Sequence, residues 1–362
     1  MSDRFFARSG APATAFAVVA ALLVAAPAPL AGQVAPSATP TRSNAAAAKP
    51  LRTAEGQPDL QGYWTTIGFT PLERPKEFAG QEFLTKEELA EFFKKAVQES
   101  SEQTFEHPEG TPVYDATIWG LDPSQQGAKP NLRTSIVVDP RDGRLPALTP
   151  EAEKRRAAQR ATAASRQPAP GEGYFWGGAW GRYPAGPEDA SLGLRCLYFG
   201  GGNPPLLAGN YNNTYHIVQS VGHVAILYER NVLRVIPLDG SPHPPAHLRQ
   251  WYGDSRGRWE GETLVVETTN FTNRTSFRGS SENMRVVERF TRVDADTIRY
   301  QFTVDDPATW VRPWSGELPI TRIEGPTFEY ACHEGNRGLM NILSVARAKD
   351  KAAAEAPNKT SR

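Results

Sequence analysis

The chain has little of what recognisable chemistry is usually built from. Of its 362 residues only two are Cys and six are His, and these do not cluster at metal-ligand spacing. No Gly-rich phosphate loop precedes a helix, and no Gly-x-Ser-x-Gly elbow occurs. Nucleotide-dependent chemistry and the common serine hydrolases are therefore disfavoured, and no cofactor is called for. Charge of one sign is not in surplus, since 40 basic side chains face 40 acidic ones. Nucleic acid is thus not an expected partner, because it would need a basic surplus or stripe. Beyond the first few dozen residues no apolar run of membrane length occurs.

What is there begins with Arg4 and Arg8, an uncharged stretch from Ala15 to Ala26, then Pro27, Pro29, Ala31 and Gly32. This pattern reads as a secretory signal peptide over residues 1–32, cleaved near Ala31 or Gly32. The apolar stretch is short of the about 20 residues a bilayer span needs, although an uncleaved N-terminal anchor is the rival reading. No Cys near the cleavage point supports a lipid anchor. Residues 33–55, rich in Ala, Pro, Ser and Thr, read as a flexible tether. The expected address is periplasmic or secreted, with no membrane span after cleavage. In such a compartment Cys196 and Cys332 are expected to form one disulfide. The loop-entropy argument credits so long a loop with ~4–5 kcal/mol. A reactive thiol pair is the alternative, and no close Cys spacing supports it.

The body opens with a loop-rich segment, residues 56–190. The 31 Pro and 31 Gly point to many turns but stay below the disordered range. Pro58 to Trp64 reads as a turn entering an aromatic extended piece. Thr85 with Glu88 forms a capping box that starts a helix over Lys86 to about Gln98. Thr149-Pro150 starts a second helix, to about Ala164, with almost no apolar face. Leu132 to Asp139 reads as a short strand. Residues 167–186, with Tyr174, Phe175, Trp176 and Trp180, are too punctuated for regular structure and too aromatic for a solvated loop.

Residues 191–345 change to strands. Thr214 to Ser220, His223 to Glu229 and Val232 to Leu238 read as consecutive antiparallel strands. Glu260-Gly261-Glu262 makes a tight turn between Arg258-Trp259 and Thr263 to Thr269. Arg285 to Val293, Thr297 to Val304, Leu318 to Ile323 and Thr327 to Cys332 follow, and Ile298, Tyr300, Phe302 and Val304 share one face. The expected fold is mainly β: an antiparallel up-and-down, lipocalin-like barrel or strongly curved sheet, with a two-sheet sandwich as the alternative. Residues 346–362 read as a disordered or frayed helical tail.

Four motifs carry a resemblance: Pro58-Asp59-Leu60 with Gly62 and Trp64; Thr70 to Pro75; Gly253 to Gly261; and Tyr330 to Asn336. Together they resemble a family of exported bacterial proteins, known chiefly as hypothetical proteins of acidobacteria and other environmental bacteria. The resemblance runs over nearly the whole mature chain and brings no activity with it. Trp259 to Leu264 is similar to hairpins of lipocalin-like and fatty-acid-binding barrels, which implies fold and not function.

Candidate sites are read from strand positions and aromatic clusters. His216 and His223 lie on adjacent strands; facing a barrel interior with Glu229 and Arg234, they would make an internal polar constellation, and facing outward an ordinary surface. His333, with Glu334 beside it, is a candidate general base at a strand end, or a side chain packed beside the disulfide. His216, Glu229 and His333 are thus the catalytic candidates. Glu267 with Arg289 is a conceivable internal ion pair. Trp251, Trp310 and Trp314, near Arg249 and Arg312, could clamp a ring-bearing ligand or serve an ordinary core. His243 and His247 are separated by two prolines and cannot share a helical face, so no metal site is expected. The leading expectation is an exported protein binding a small apolar or aromatic molecule. The alternatives are a cofactor-free lyase, hydratase or isomerase, and a structural or partner-binding protein of the envelope.

Overall fold

The computed structural model describes residues 51–102, 131–165, 186–198, 204–209, 213–230, 232–327 and 329–355. The expected signal peptide, most of the tether and all but the last residue of the aromatic stretch at 167–186 lie outside them. The chain divides between Ala47 and Ala48, and every element below belongs to the second unit.

In chain order the strands are β1 (Gly62–Thr65), β2 (Val137–Asp139), β3 (Thr214–Ser220), β4 (His223–Tyr228), β5 (Val232–Pro237), β6 (Asp254–Glu260), β7 (Thr263–Thr269), β8 (Arg285–Asp294), β9 (Thr297–Asp305) and β10 (Trp314–Arg322). The longer helices are α1 (Lys86–Glu102), α2 (Pro150–Ser165) and α3 (Arg337–Glu355). Nine strands form one nearly closed antiparallel, barrel-like sheet in the order β5-β4-β3-β1-β10-β9-β8-β7-β6, and β2 adds to β10. β5 and β6 pack against each other at the seam without a hydrogen-bonded ladder. One curved sheet, and not two stacked ones, is therefore the solution to the edge problem.

Short turns and period-two alternation explain most of this sheet. Gly222 and Gly261 take positive φ, 75° and 59°, at the tight turns after β3 and β6, a backbone region other residues enter at a cost. Inward positions such as Val224, Ile226 and Tyr228 on β4, and Ile298, Tyr300 and Phe302 on β9, are buried. β1 is the long-range piece. Trp64 is wholly buried, its indole N–H donates to the Leu60 carbonyl at 2.8 Å, and the Leu60 N–H donates to Gln219 of β3 at 2.6 Å. The Pro58-to-Trp64 motif thus serves to insert β1 between β3 and β10.

Two strand glycines permit close approach. A Cβ on Gly257 would stand 2.8 Å from Ile236 and 2.6 Å from Leu238, so β6 reaches the seam with β5 because that position carries no side chain. A Cβ on Gly316 would stand 2.3 Å from the Phe302 ring, which packs edge-on against Trp314.

Two expectations need correction. The described residues between Thr327 and Cys332 are not in a strand, and turns at residues 332–335 lead to α3. The tail expected to be disordered or frayed from Ala346 continues, as far as Glu355, a helix that starts at Arg337, where the Asn336 side chain accepts from the Leu339 N–H at 3.3 Å as its cap and Ile342, Leu343 and Ala346 bury one face. The Cys196–Cys332 disulfide forms, with Cα atoms 5.7 Å apart. Asn336 also donates to the Leu194 carbonyl at 2.7 Å, tying the start of α3 to the same junction.

Replacing Gly316 by Ala is expected to lower unfolding free energy by about 1–3 kcal/mol through overpacking against Phe302. Urea unfolding measures it, and a loss under about 0.5 kcal/mol would contradict the packing described.

Candidate functional site

The barrel lumen holds a charged pair among apolar rings. Arg234 on β5 and Glu288 on β8, with side chains 3% and 0% exposed, meet through Nη2–Oε2 at 2.5 Å and Nη1–Oε1 at 3.2 Å. Nη2 also reaches the Ser255 and Thr268 hydroxyls at 3.3 and 3.4 Å. Tyr300 donates to Glu288 Oε1 at 2.8 Å and accepts the Leu206 N–H at 2.9 Å. Burial works against the charged guanidinium, yet the adjacent Glu288 carboxylate outweighs it and holds the Arg234 pKa above its usual value. Every oxygen of Glu288 is engaged, so the pair is a brace across the lumen. Tyr215 and Tyr228 stack beside it with centroids 5.1 Å apart.

The other expected members of an internal constellation are elsewhere. His216 is half-buried on the opposite face of β3 and stacks on Tyr63 at 4.3 Å. His223 is exposed at the end of its strand. Glu229 accepts from the Thr214 hydroxyl at 2.6 Å. Period two decides this, since Tyr215 and Ile217 occupy the inward positions on either side of His216. The Glu267–Arg289 pair does not form either. Register sets Glu267 opposite Val287 and Arg289 opposite Val265; Arg289 then bonds Glu260 at 2.8 Å, and Glu267 is held by Arg285. The carboxylate that faces Arg234 is Glu288. Its signal was present in sequence, because Val286, Glu288 and Phe290 alternate onto one face.

The three tryptophans divide. Trp310 and Trp314 meet edge-on at 5.8 Å and are buried, whereas Trp251 packs edge-on against Tyr198 at 6.2 Å. His243 is better placed than its Pro-rich surroundings suggested. Its Nδ1 lies 2.6 Å from Asp254, and its Nε2 lies 3.6 Å from Glu267. This clasps the 241–247 loop to β6 and β7. Among the described residues, no group of three or more His, Cys, Asp or Glu side chains is arranged to hold a metal ion.

The described residues form two surface clefts of note. The smaller, about 130 Å³, lies at the disulfide and is lined by Tyr198, Arg230, Tyr252, Tyr330, Cys332 and the exposed His333. The larger, about 330 Å³, is built outside the barrel. The Thr149 hydroxyl caps α2 by accepting from Ala152 N–H at 3.2 Å, and Leu148 bridges to Trp310. This places Ala152 of α2 beside Leu145, Leu148 and Trp310 as an apolar floor. Arg155, Arg156, Gln159 and Arg278 supply polar lining. The Arg155 guanidinium is fixed by two bonds of 3.1 Å to the Ala308 carbonyl and one of 2.9 Å to the Thr309 hydroxyl. Glu73, the carboxylate of the lining, accepts from the Leu145 N–H at 3.0 Å.

Fold and site together define a mainly β protein with a braced barrel-like sheet and an external cleft that has an apolar floor and charged walls. No family model, curated protein or solved structure matches the chain.

Two outcomes follow from the lumen. Glu288→Ala leaves Arg234 buried without its counter-charge and is expected to cost about 3–5 kcal/mol in urea unfolding, with Arg234→Met/Glu288→Leu recovering most of it; a single-variant loss under about 1 kcal/mol would contradict the brace. Burial also raises the phenols, Tyr228 and Tyr252 to about 12, and Tyr215 and Tyr300 upward in the same direction. The unfolded chain releases these protons near pH 10 while the folded chain keeps them. Stability should therefore be fully present below pH 10 and fall as pH rises from 10 to 12. Thermal melts across that range measure it, and a flat profile would count against buried phenols.

Proposed function

We propose that the protein is an exported small-molecule-binding protein whose apolar or aromatic ligand lies in the cleft between α2 and the Leu145–Leu148 segment. The observation that carries this reading is the cleft itself. Its volume of about 330 Å³ falls within the range of ligand sites, which pair an apolar floor with a few convergent polar groups. The lumen offers less, since the Arg234–Glu288 brace and its surrounding rings occupy the level where a barrel ligand would sit. Export is supported by the basic, apolar and small-residue succession at the N-terminus and by a disulfide, a bond that persists in oxidising compartments. Among the described residues no helix is long and apolar enough to cross a membrane.

The test uses N-phenyl-1-naphthylamine, a neutral two-ring dye that brightens in apolar surroundings, titrated into the mature protein. Saturable binding is expected, weakened at least about tenfold in Gln159→Trp, which narrows the mouth of the cleft without touching the core; tenfold corresponds to about 1.4 kcal/mol. No saturable binding, or binding indifferent to that substitution, would overturn the reading. Circular dichroism on the variant confirms that it folds.

A further inference from the structure

We infer that the ligand of this cleft carries an oxyanion, such as a carboxylate, sulfonate or phosphate, received by Arg156 and Arg278 beside the fixed guanidinium of Arg155. The inference rests on the cleft being the ligand site. Three guanidiniums line the cleft against the one carboxylate of Glu73, which already serves the Leu145 backbone. Arg155 is half-buried, and its side-chain partners are a carbonyl and a hydroxyl, both neutral, so its charge is oriented but not balanced. The side chains of Arg156 and Arg278 make no hydrogen bond or ion pair among the described residues. Elsewhere on the molecule some arginines reach carboxylates, as Arg133 does Glu82 and Glu317, Arg258 and Arg289 do Glu260, and Arg312 does Asp139, while exposed Arg141, Arg144, Arg274 and Arg299 reach none among the described residues; what sets the cleft apart is the convergence of three guanidiniums on one apolar floor. Acid is therefore not scarce on this surface. In the cleft Glu73 is the one carboxylate beside three guanidiniums.

A second observation is independent of charge. Arg278 sits at φ 53°, in the left-handed region that L side chains seldom adopt. The turn that holds it there is closed by Ser280, whose hydroxyl accepts from the Phe277 N–H at 2.9 Å and whose N–H donates to the Phe277 carbonyl at 2.9 Å. Gly279 follows at φ 84°. A Gly or Asn at 278 would suit this turn with less strain. Cys196 and Asn270 share this backbone region, but of the three only Arg278 lines the cleft, where contact with a ligand would offset its strain. Planar guanidiniums recognise oxyanions through paired N–H donors, so two of them beside an apolar floor select a ring or chain ending in an acid.

The experiment compares two dyes sharing one anilinonaphthalene body, N-phenyl-1-naphthylamine and 8-anilinonaphthalene-1-sulfonate, at low ionic strength. The sulfonate is expected to bind at least about tenfold more tightly, with an advantage that shrinks as salt rises. In Arg156→Gln/Arg278→Gly, where Gly suits the left-handed turn, the advantage should fall to about twofold or less. Equal affinities in the native protein, or an advantage that survives this double substitution, would overturn the anion inference while leaving the cleft reading intact. Sulfonate binding indifferent to Gln159→Trp would place that dye elsewhere and overturn the inference. Failure of both dyes to bind would instead remove the cleft reading on which it rests. A thermal melt of the double variant excludes unfolding as the cause of any loss.

Discussion

Arg234 and Glu288 lie inside a nearly closed barrel with almost no access to water, and much of the architecture is arranged to make that tolerable. Burying two charges costs several kcal/mol per ion unless partners and hydrogen bonds replace the lost water. Here Ser255, Thr268 and Tyr300, drawn from β6, β7 and β9, supply further hydrogen bonds, and the Arg234 Nε alone of the pair is left without one. The pair joins β5 to β8 across the interior, past the seam where β5 and β6 share no ladder. A cross-brace near that seam supplies a directional link where backbone hydrogen bonding is missing. Tyr300 extends it by accepting from Leu206, which fixes the incoming segment against the lumen.

With the lumen braced, the cleft proposed as the ligand site lies outside the sheet. The segments before β3 fold over the barrel and supply the walls of the larger cleft: the Glu73 motif, the Leu145–Leu148 stretch and α2. The Thr70-to-Pro75 motif is structural in this respect. Arg74 is buried and bonds Thr134 at 2.9 Å and the Arg141 carbonyl at 3.0 Å, while Gly143 stands where a Cβ would come 2.9 Å from the Arg74 Cβ. The disulfide and Asn336 perform a comparable service for the C-terminal helix. What the chain invests in its motifs is largely the attachment of irregular segments to a regular sheet.

Local signals carried the strands well. Thr214 to Ser220 and Thr263 to Thr269 stand at the bounds their alternation and turns indicate, and the capping box at Thr85 and Glu88 starts α1 with both reciprocal bonds, at 2.8 and 3.1 Å. Boundaries set by long-range contacts were not legible. The start of α3 depends on Asn336 beside a disulfide whose other half is Cys196, and the run after Gly325 resembled a strand only in composition. Site residues failed for a related reason. Face alternation assigns Glu288 to the interior, but choosing between Glu267 and Glu288 as the partner of an arginine needs the register between strands distant in sequence. The cleft was less legible still, because Arg156 and Arg278 belong to a helix that lacks an apolar face and to an isolated turn. Only folding brings them beside Trp310.

The central claim is that the ligand sits outside the barrel, over Leu148 and Trp310, with its acid toward Arg156 and Arg278. The most direct measurement is a crystal structure of the protein soaked with 4-bromobenzoate, with bromine located by its anomalous signal. The account predicts bromine over the apolar floor of the larger cleft and the carboxylate within hydrogen-bond distance of those two arginines. Bromine inside the lumen beside the Arg234–Glu288 pair, or at the disulfide cleft alone, would contradict it.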